Sequence, residues 1–200
     1  MRITFDQKAI GVVLDGVTRK SLGTCFSFIR SDWAVTARHV IVKEGQVRSG
    51  ILVWPHAGEP TQCEVAFLHP VLDLAVLKLA TPMCNIPLYP AHQRHASTDG
   101  LLHFGYSPSL STSGRILALS AVAIPAFEIE VRERTDSNEE LIVFESEFSE
   151  GGHSGGPIIG DGAGVVGVII ESFWRGDQLA VRGTSVLPLV DELEFGGTSK

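Results

Sequence analysis

The chain has 200 residues, is 44% hydrophobic and 20% charged, and carries a formal net charge of −7. This composition supports one ordinary domain, or two small joined halves with a sizeable core, and excludes wholesale disorder. The acidic balance, with no block of five or six like charges, excludes a nucleic-acid surface of clustered Lys and Arg and a polybasic membrane tether. The opening residues Met1-Arg2-Ile3-Thr4-Phe5-Asp6-Gln7-Lys8 place charges where a secretory leader needs apolar ones. The run Ala9–Leu14 is short and closed by Asp15, so no signal peptide is expected. No apolar run reaches transmembrane length. Strand-like runs rich in Val, Ile and Phe follow near Ala9–Leu14, Gly23–Ile29, Trp33–Thr36, Ile51–Val53, Thr61–Leu68 and Leu74–Leu79. The proline-flanked polar stretch 89–100 reads as a linker. Strand-like runs resume near Leu101–Phe104, Arg115–Ser120, Glu128–Arg132, Leu141–Glu145, Gly164–Ile170 and Leu179–Thr184. Pro188, Leu189, Val190 and Leu193 then predict a short terminal helix within Val186–Phe195.

Two sets of about six strands predict an all-β protein of two packed antiparallel barrels. Residues 1–88 form the first, 89–100 the linker and 101–200 the second, with a ligand site in the crevice between them. Twenty-one glycines and ten prolines suit so many turns. Cys25, Cys63 and Cys84 are odd in number and contain no Cys-x-x-Cys pair. Reduced thiols in a cytoplasmic protein are the simplest expectation.

Three segments carry chemistry. His39 follows the hydrophobic run Trp33-Ala34-Val35-Thr36-Ala37-Arg38. Asp73 heads the apolar run Leu74-Ala75-Val76-Leu77. Ser154 stands within Gly151-Gly152-His153-Ser154-Gly155-Gly156-Pro157, where bare glycine backbones let N–H groups converge on a carbonyl oxygen. Each has a plain structural reading alone: a solvent-facing histidine, a turn aspartate, a flexible loop. Acyl transfer needs a nucleophile, a base that titrates near neutrality, a group that orients the base, and donors for the oxyanion. Their joint occurrence favours that chemistry.

Thr36-Ala37-Arg38-His39-Val40 resembles the Thr-Ala-Ala-His motif of the chymotrypsin/trypsin clan. Asp73-Leu74-Ala75-Val76-Leu77 resembles its Asp-Ile-Ala-Leu-Leu motif, and Gly152–Pro157 its Gly-Asp-Ser-Gly-Gly-Pro. Gly23-Thr24-Cys25-Phe26 is similar to the strand before the histidine, and Gly164–Val168 to the strand after the nucleophile. Phe104-Gly105-Tyr106-Ser107-Pro108 with Ser113-Gly114-Arg115-Ile116 is similar to the opening of the second barrel in bacterial HtrA-type proteases. The resemblance spans roughly residues 20 to 190. It implies a chymotrypsin-like double barrel and a trypsin-like serine endopeptidase acting on polypeptides. In that scheme His39 is general base and acid, Asp73 orients it, and Ser154 forms the acyl-enzyme. The N–H groups of Gly152 and Ser154 make the oxyanion hole. No metal or cofactor is implied; His92 and His95 lack a third ligand.

Departures from the pattern carry information too. His153 replaces an aspartate that, in digestive trypsins, pairs with a newly released N-terminus. An enzyme ordered without such processing is expected, with His153 in a structural role within its loop. Val40 replaces the cysteine of secreted trypsins, so that disulfide is absent, and Cys25 reads as a buried strand thiol. By the same resemblance the specificity pocket is walled by Phe148, Ser149 and Glu150 on one side and Ile170, Glu171 and Ser172 on the other. Phe148 would make it shallow and apolar, whereas an inward Glu171 would favour Lys or Arg. A solvated Glu171 is the simpler expectation. The alternative from another class is a catalytically quiet, protease-like peptide-binding module. An α/β-hydrolase-type esterase is disfavoured by the His, Asp, Ser order and the missing Gly-x-Ser-x-Gly elbow. A sensing or regulatory protein partner stays open.

Overall fold

The computed structural model describes residues 7–56, 58–91, 101–106, 132–134, 139–146, 149, 151–160 and 164–195. The expected strand 115–120 and most of 128–132 lie outside these residues, as do His92, His95, Phe148 and Glu150. In the first half the strands are β1 (Ile10–Leu14), β2 (Ser21–Phe28) and β3 (Arg30–Thr36). The short helix α1 (Arg38–Ile41) follows, then the small hairpin β4 (Val42–Lys43) and β5 (Gln46–Val47), then β6 (Leu52–Pro55), β7 (Thr61–Leu68) and β8 (Ala75–Leu79). Six of them close a barrel in the order β1-β2-β3-β8-β7-β6, which leaves no open edge for stray pairing. β7 alternates half-buried and exposed residues over most of its length, the period-2 mark of a strand with one wet face. On β2 every residue from Gly23 to Phe28 is buried, since its outer face is covered by the second half.

That second half holds β9 (Leu102–His103), β10 (Arg132–Arg134), β11 (Glu139–Glu145), β12 (Pro157–Ile159), β13 (Val165–Arg175) and β14 (Gln178–Ser185). They form one six-stranded antiparallel sheet in the order β10-β11-β14-β13-β12-β9, a curled half-barrel. Helix α2 (Leu187–Phe195) ends the described chain. Pro188 falls in its first turn, where a missing N–H costs nothing, and Leu189 is buried against the core.

A single apolar cluster joins the halves: Phe26, Phe28, Val35 and Leu77 of the barrel meet Phe104, Ile159, Val165, Val168 and Leu189. Each such side chain, fully buried, contributes about 1.5–3 kcal/mol. The double-barrel, all-β architecture with a short C-terminal helix is therefore the one the strand pattern predicts.

Local differences have physical reasons. β13 runs to Arg175, five residues beyond its expected end, because it forms a long hairpin with β14. The turn is two residues, and Gly176 (φ +62) stands at the position where a type II′ turn needs glycine. The expected linker is anchored where it begins. Ala91 N–H donates to the Val165 carbonyl and Val165 N–H to that of Tyr89, at 2.9 and 2.8 Å.

Candidate active site

His39 stands on α1, one turn of helix directly after β3. Val40 and Ile41 on the same turn are buried, which leaves the His39 side chain 47% exposed beside Asp73, itself 28% exposed. The Asp73 carboxylate grips this one residue twice. Oδ2 lies 2.6 Å from His39 Nδ1, and Oδ1 accepts the His39 backbone N–H at 2.8 Å. An ionised carboxylate only accepts, so Nδ1 carries the proton and a neutral His39 presents Nε2 as a free base.

The Asp73 loop is built for this grip. His69 N–H donates to the Leu74 carbonyl, and His69 Nδ1 accepts the N–H groups of Val71 and Leu72 at 3.2 and 2.9 Å. Arg38 ties the loop to α1. Its N–H donates to the Asp73 carbonyl and its guanidinium to the His69 carbonyl at 3.2 Å.

The Ser154 loop comes from the other half and is clamped to β2 by Thr24, which is fully buried. Thr24 Oγ1 donates to the Gly152 carbonyl at 2.6 Å and accepts the Tyr106 N–H at 2.7 Å. Thr24 N–H donates to the Ser154 carbonyl at 2.8 Å. Thr36 Oγ1 in turn donates to the Thr24 carbonyl at 2.7 Å, linking the loop to the strand that leads into His39. Gly155 (φ +87) sits so close that a Cβ would collide with the Thr24 carbonyl and Thr36 Oγ1. Only glycine meets both the left-handed backbone and the close approach. On its other side the loop pairs with β13: Gly155 N–H to the Ile169 carbonyl, and Ile169 N–H to that of Gly156.

The Ser154 hydroxyl donates to the Ile170 carbonyl at 3.1 Å; no hydrogen bond joins it to His39. The N–H groups of Gly152 (φ +110) and Ser154 have no acceptor among the described residues, while the next two, of Gly155 and Gly156, are used. Two uncommitted donors, one of them the serine's own N–H, are what an oxyanion would require.

His153 is 1% exposed and turns into the second half. Its Nδ1 lies 3.4 Å from Ser149 Oγ, within its own loop as expected. Its ring meets that of His103 at 5.7 Å, in space left by Gly105, where a Cβ would lie 2.7 Å from the imidazole. His103 is fully buried and its Nε2 is 2.7 Å from Ser146 Oγ. Burial, with the neighbouring His153, holds the His103 pKa down at about 3, so it stays neutral.

Of the expected pocket residues, Ile170 supplies the carbonyl beside Ser154, and Ser172 is exposed on β13 opposite Val181. Glu171 is exposed, as the simpler expectation had it, but it is not free in solvent. It pairs across the hairpin with Arg182, whose guanidinium lies 4.8 Å over the Phe173 ring. The pairing is dictated by the register shift between Ile169 and Glu171, which brings Glu171 opposite Arg182 and which no local motif announces. Cys25 is fully buried with its thiol pKa pushed up by desolvation, and no disulfide forms among the three cysteines. No cluster of three metal-ligating side chains and no helix long and apolar enough to cross a membrane occurs among the described residues. Thr24, His69, His103 and Arg182 escaped the sequence reading.

Residues 23–168 match the family model of the trypsin-like peptidase domain. No curated protein matches. Among solved structures the active form of the Rv3671c protease from M. tuberculosis is 20% identical with a TM-score of 0.69, over 97% of this chain and 83% of that one. The HtrA-type protease AlgW with a decapeptide is 16% identical with a TM-score of 0.69, over 95% and 66%. The MamO protease domain from Magnetospirillum magneticum is 16% identical with a TM-score of 0.69, over 93% and 96%. At such identities the likeness speaks for the fold; the family match covers most of the chain. The chain belongs to the trypsin-like peptidase family, the serine endopeptidases built on this double-barrel fold.

Proposed function

We propose that the chain cleaves peptide bonds through an acyl-enzyme formed on Ser154, with His39 as general base and acid and Asp73 as its orienting partner. The observation that carries this is the double Asp73–His39 contact, at 2.6 and 2.8 Å. The glycine-rich serine loop is clamped by Thr24 and Thr36 onto the strand that leads into His39. On this reading the Ser154 hydroxyl rotates from the Ile170 carbonyl to His39 Nε2 when substrate enters, and gives up its proton as Oγ attacks the scissile carbonyl. The Gly152 and Ser154 N–H groups take the developing oxyanion; one such donor is worth about 10²–10³ in turnover. His39 then hands the proton to the leaving amine, and water releases the acyl group by the same route. A polypeptide would lie along β13, whose second edge has no strand partner among the described residues beyond Val168. The HtrA-type protease AlgW, of similar fold, was solved with peptides.

The hydroxyl turned to the Ile170 carbonyl favours a second reading, a protease-like module that binds peptide without cutting it. Cleavage of a mixed peptide library, read by mass spectrometry, decides between them. Cleavage lost in Ser154→Ala and His39→Ala supports the protease. Binding without cleavage by the natural chain supports the module.

A further inference from the structure

The pair Glu171–Arg182 stands where a substrate strand would pass. On β13, Val168 turns one face of the sheet into the apolar cluster shared with the first half, so that face looks toward the crevice between the halves. Ile170 is the bulged residue, and Glu171 returns to the same face as Val168, opposite Arg182. The preceding carbonyl, that of Ile170, receives the Ser154 hydroxyl. The carboxylate of Glu171 is thus one residue from the reacting centre along the strand. Arg182 is held from two sides, by Glu171 and by the Phe173 ring beneath its guanidinium. Its Nε is buried without a partner among the described residues, so the guanidinium's hold comes from Glu171 and the Phe173 ring.

We propose that Glu171 and Arg182 act together as a charge filter on the substrate, resting on the protease reading above. As a pair they present a surface of zero net charge, part ion pair and part Phe173 ring. An acidic substrate side chain laid over it is drawn by Arg182 and repelled by Glu171; a basic one meets the reverse. Neither gains, and both lose water. The natural chain therefore selects uncharged side chains, flat or aliphatic, at the substrate position that lies over the pair. This differs from a pocket in which Glu171 alone would draw Lys or Arg. Glu171 is a specificity determinant only through its partner.

Single substitutions unmask one charge. Glu171→Gln leaves Arg182 free and should shift preference toward Asp and Glu. Arg182→Gln leaves Glu171 free and should shift it toward Lys and Arg. Both side chains are partly exposed, at 49% and 32%, so each shift should be about two- to fivefold, the range of solvent-screened ion pairs. The exchanged double variant, Glu171→Arg with Arg182→Glu, rebuilds a neutral pair and should return to the natural preference.

The test is competitive cleavage of a peptide library varied around the scissile bond, read as the ratio of acidic to neutral to basic residues at each position. Ratios within one digest do not depend on how much of a variant folds. Opposite shifts at one shared position in the two single variants, cancelled in the double, support the filter. Cleavage by all four chains with the same charge profile overturns the filter and leaves the protease intact. Absence of cleavage by the natural chain overturns the protease reading and the filter with it.

Discussion

Replacing Thr24 by valine keeps the shape of a fully buried side chain but removes the hydroxyl that joins the serine loop to the barrel. Two groups lose their partner at once: the Gly152 carbonyl, now at 2.6 Å, and the Tyr106 N–H, at 2.7 Å. A buried polar group left unpaired costs about 1–3 kcal/mol. Gly152 and Tyr106 are only half buried, so some water can return, and the sum should fall at about 2–4 kcal/mol. For a chain of this size that lowers Tm by about 4–16 °C. The damage should reach catalysis as well, because Gly152 carries one of the two uncommitted N–H groups. Turnover of a small peptide ester should drop about 10- to 100-fold, short of the 10²–10³ for outright loss of an oxyanion donor. KM should change less than turnover, since the substrate strand lies on β13. Thr24→Ser keeps the oxygen and should retain most of both properties. Thermal melts and steady-state kinetics on the three chains provide the check. A valine variant with Tm within about 1 °C of the natural chain and turnover within about twofold would refute the clamp.

Asp73→Asn should leave the fold intact and cut turnover by about 10³–10⁴, because an amide can present its NH2 to His39 and stabilise the wrong tautomer; stopped assays on a peptide amide would measure this. Gly155→Ala should lose activity and more than about 2 kcal/mol of stability, since it places a Cβ against the Thr24 carbonyl and Thr36 Oγ1 at φ +87; urea melts would show it. His103 has a folded pKa of about 3, below its ordinary 6.5. The unfolded chain therefore takes up that proton first as pH falls, and stability drains away between about pH 6.5 and 3. In urea melts, the stability gap between the natural chain and His103→Asn should narrow over that window, by up to about 1.4 kcal/mol per pH unit. Burial lifts the Cys63 thiol to about 11 and raises that of Cys25 further, and Cys84 is also buried. An Ellman titration at pH 7.5 should find the native thiols slow to react and all three available in denaturant.

How much of this was legible in the chain depends on the range of the interaction. Strands such as Thr61–Leu68 and Leu141–Glu145 announce themselves by β-branched residues and turn punctuation, and they lie close to where the pattern puts them. The three reactive segments are also local: a histidine after a strand, an aspartate before one, a serine among glycines. Their meeting is not local. It depends on Thr24, which is 128 residues from Gly152, and no periodicity marks a threonine as a clamp. Glu171 shows the same limit from the other side. As a lone carboxylate near the nucleophile it reads as solvated or as a basic-residue receptor, and only the bulge after Ile169 brings Arg182 against it. His153 was legible as a departure from the aspartate of digestive trypsins; its contact with His103 was not, since that depends on Gly105 leaving room. The stretch 89–100 reads as a linker by composition, yet Tyr89 and Ala91 are bound to β13 by backbone hydrogen bonds that composition does not encode.

The central claim is that Ser154 is an activated nucleophile. A fluorophosphonate reacts covalently with such a serine and scarcely at all with an ordinary hydroxyl. The natural chain, Ser154→Ala and His39→Ala should be labelled side by side, with the adduct located by peptide mass spectrometry. Stoichiometric label on Ser154 in the natural chain, absent from Ser154→Ala and strongly slowed in His39→Ala, is the predicted result. A folded natural chain that takes no label, or takes it equally in Ser154→Ala, would contradict the account.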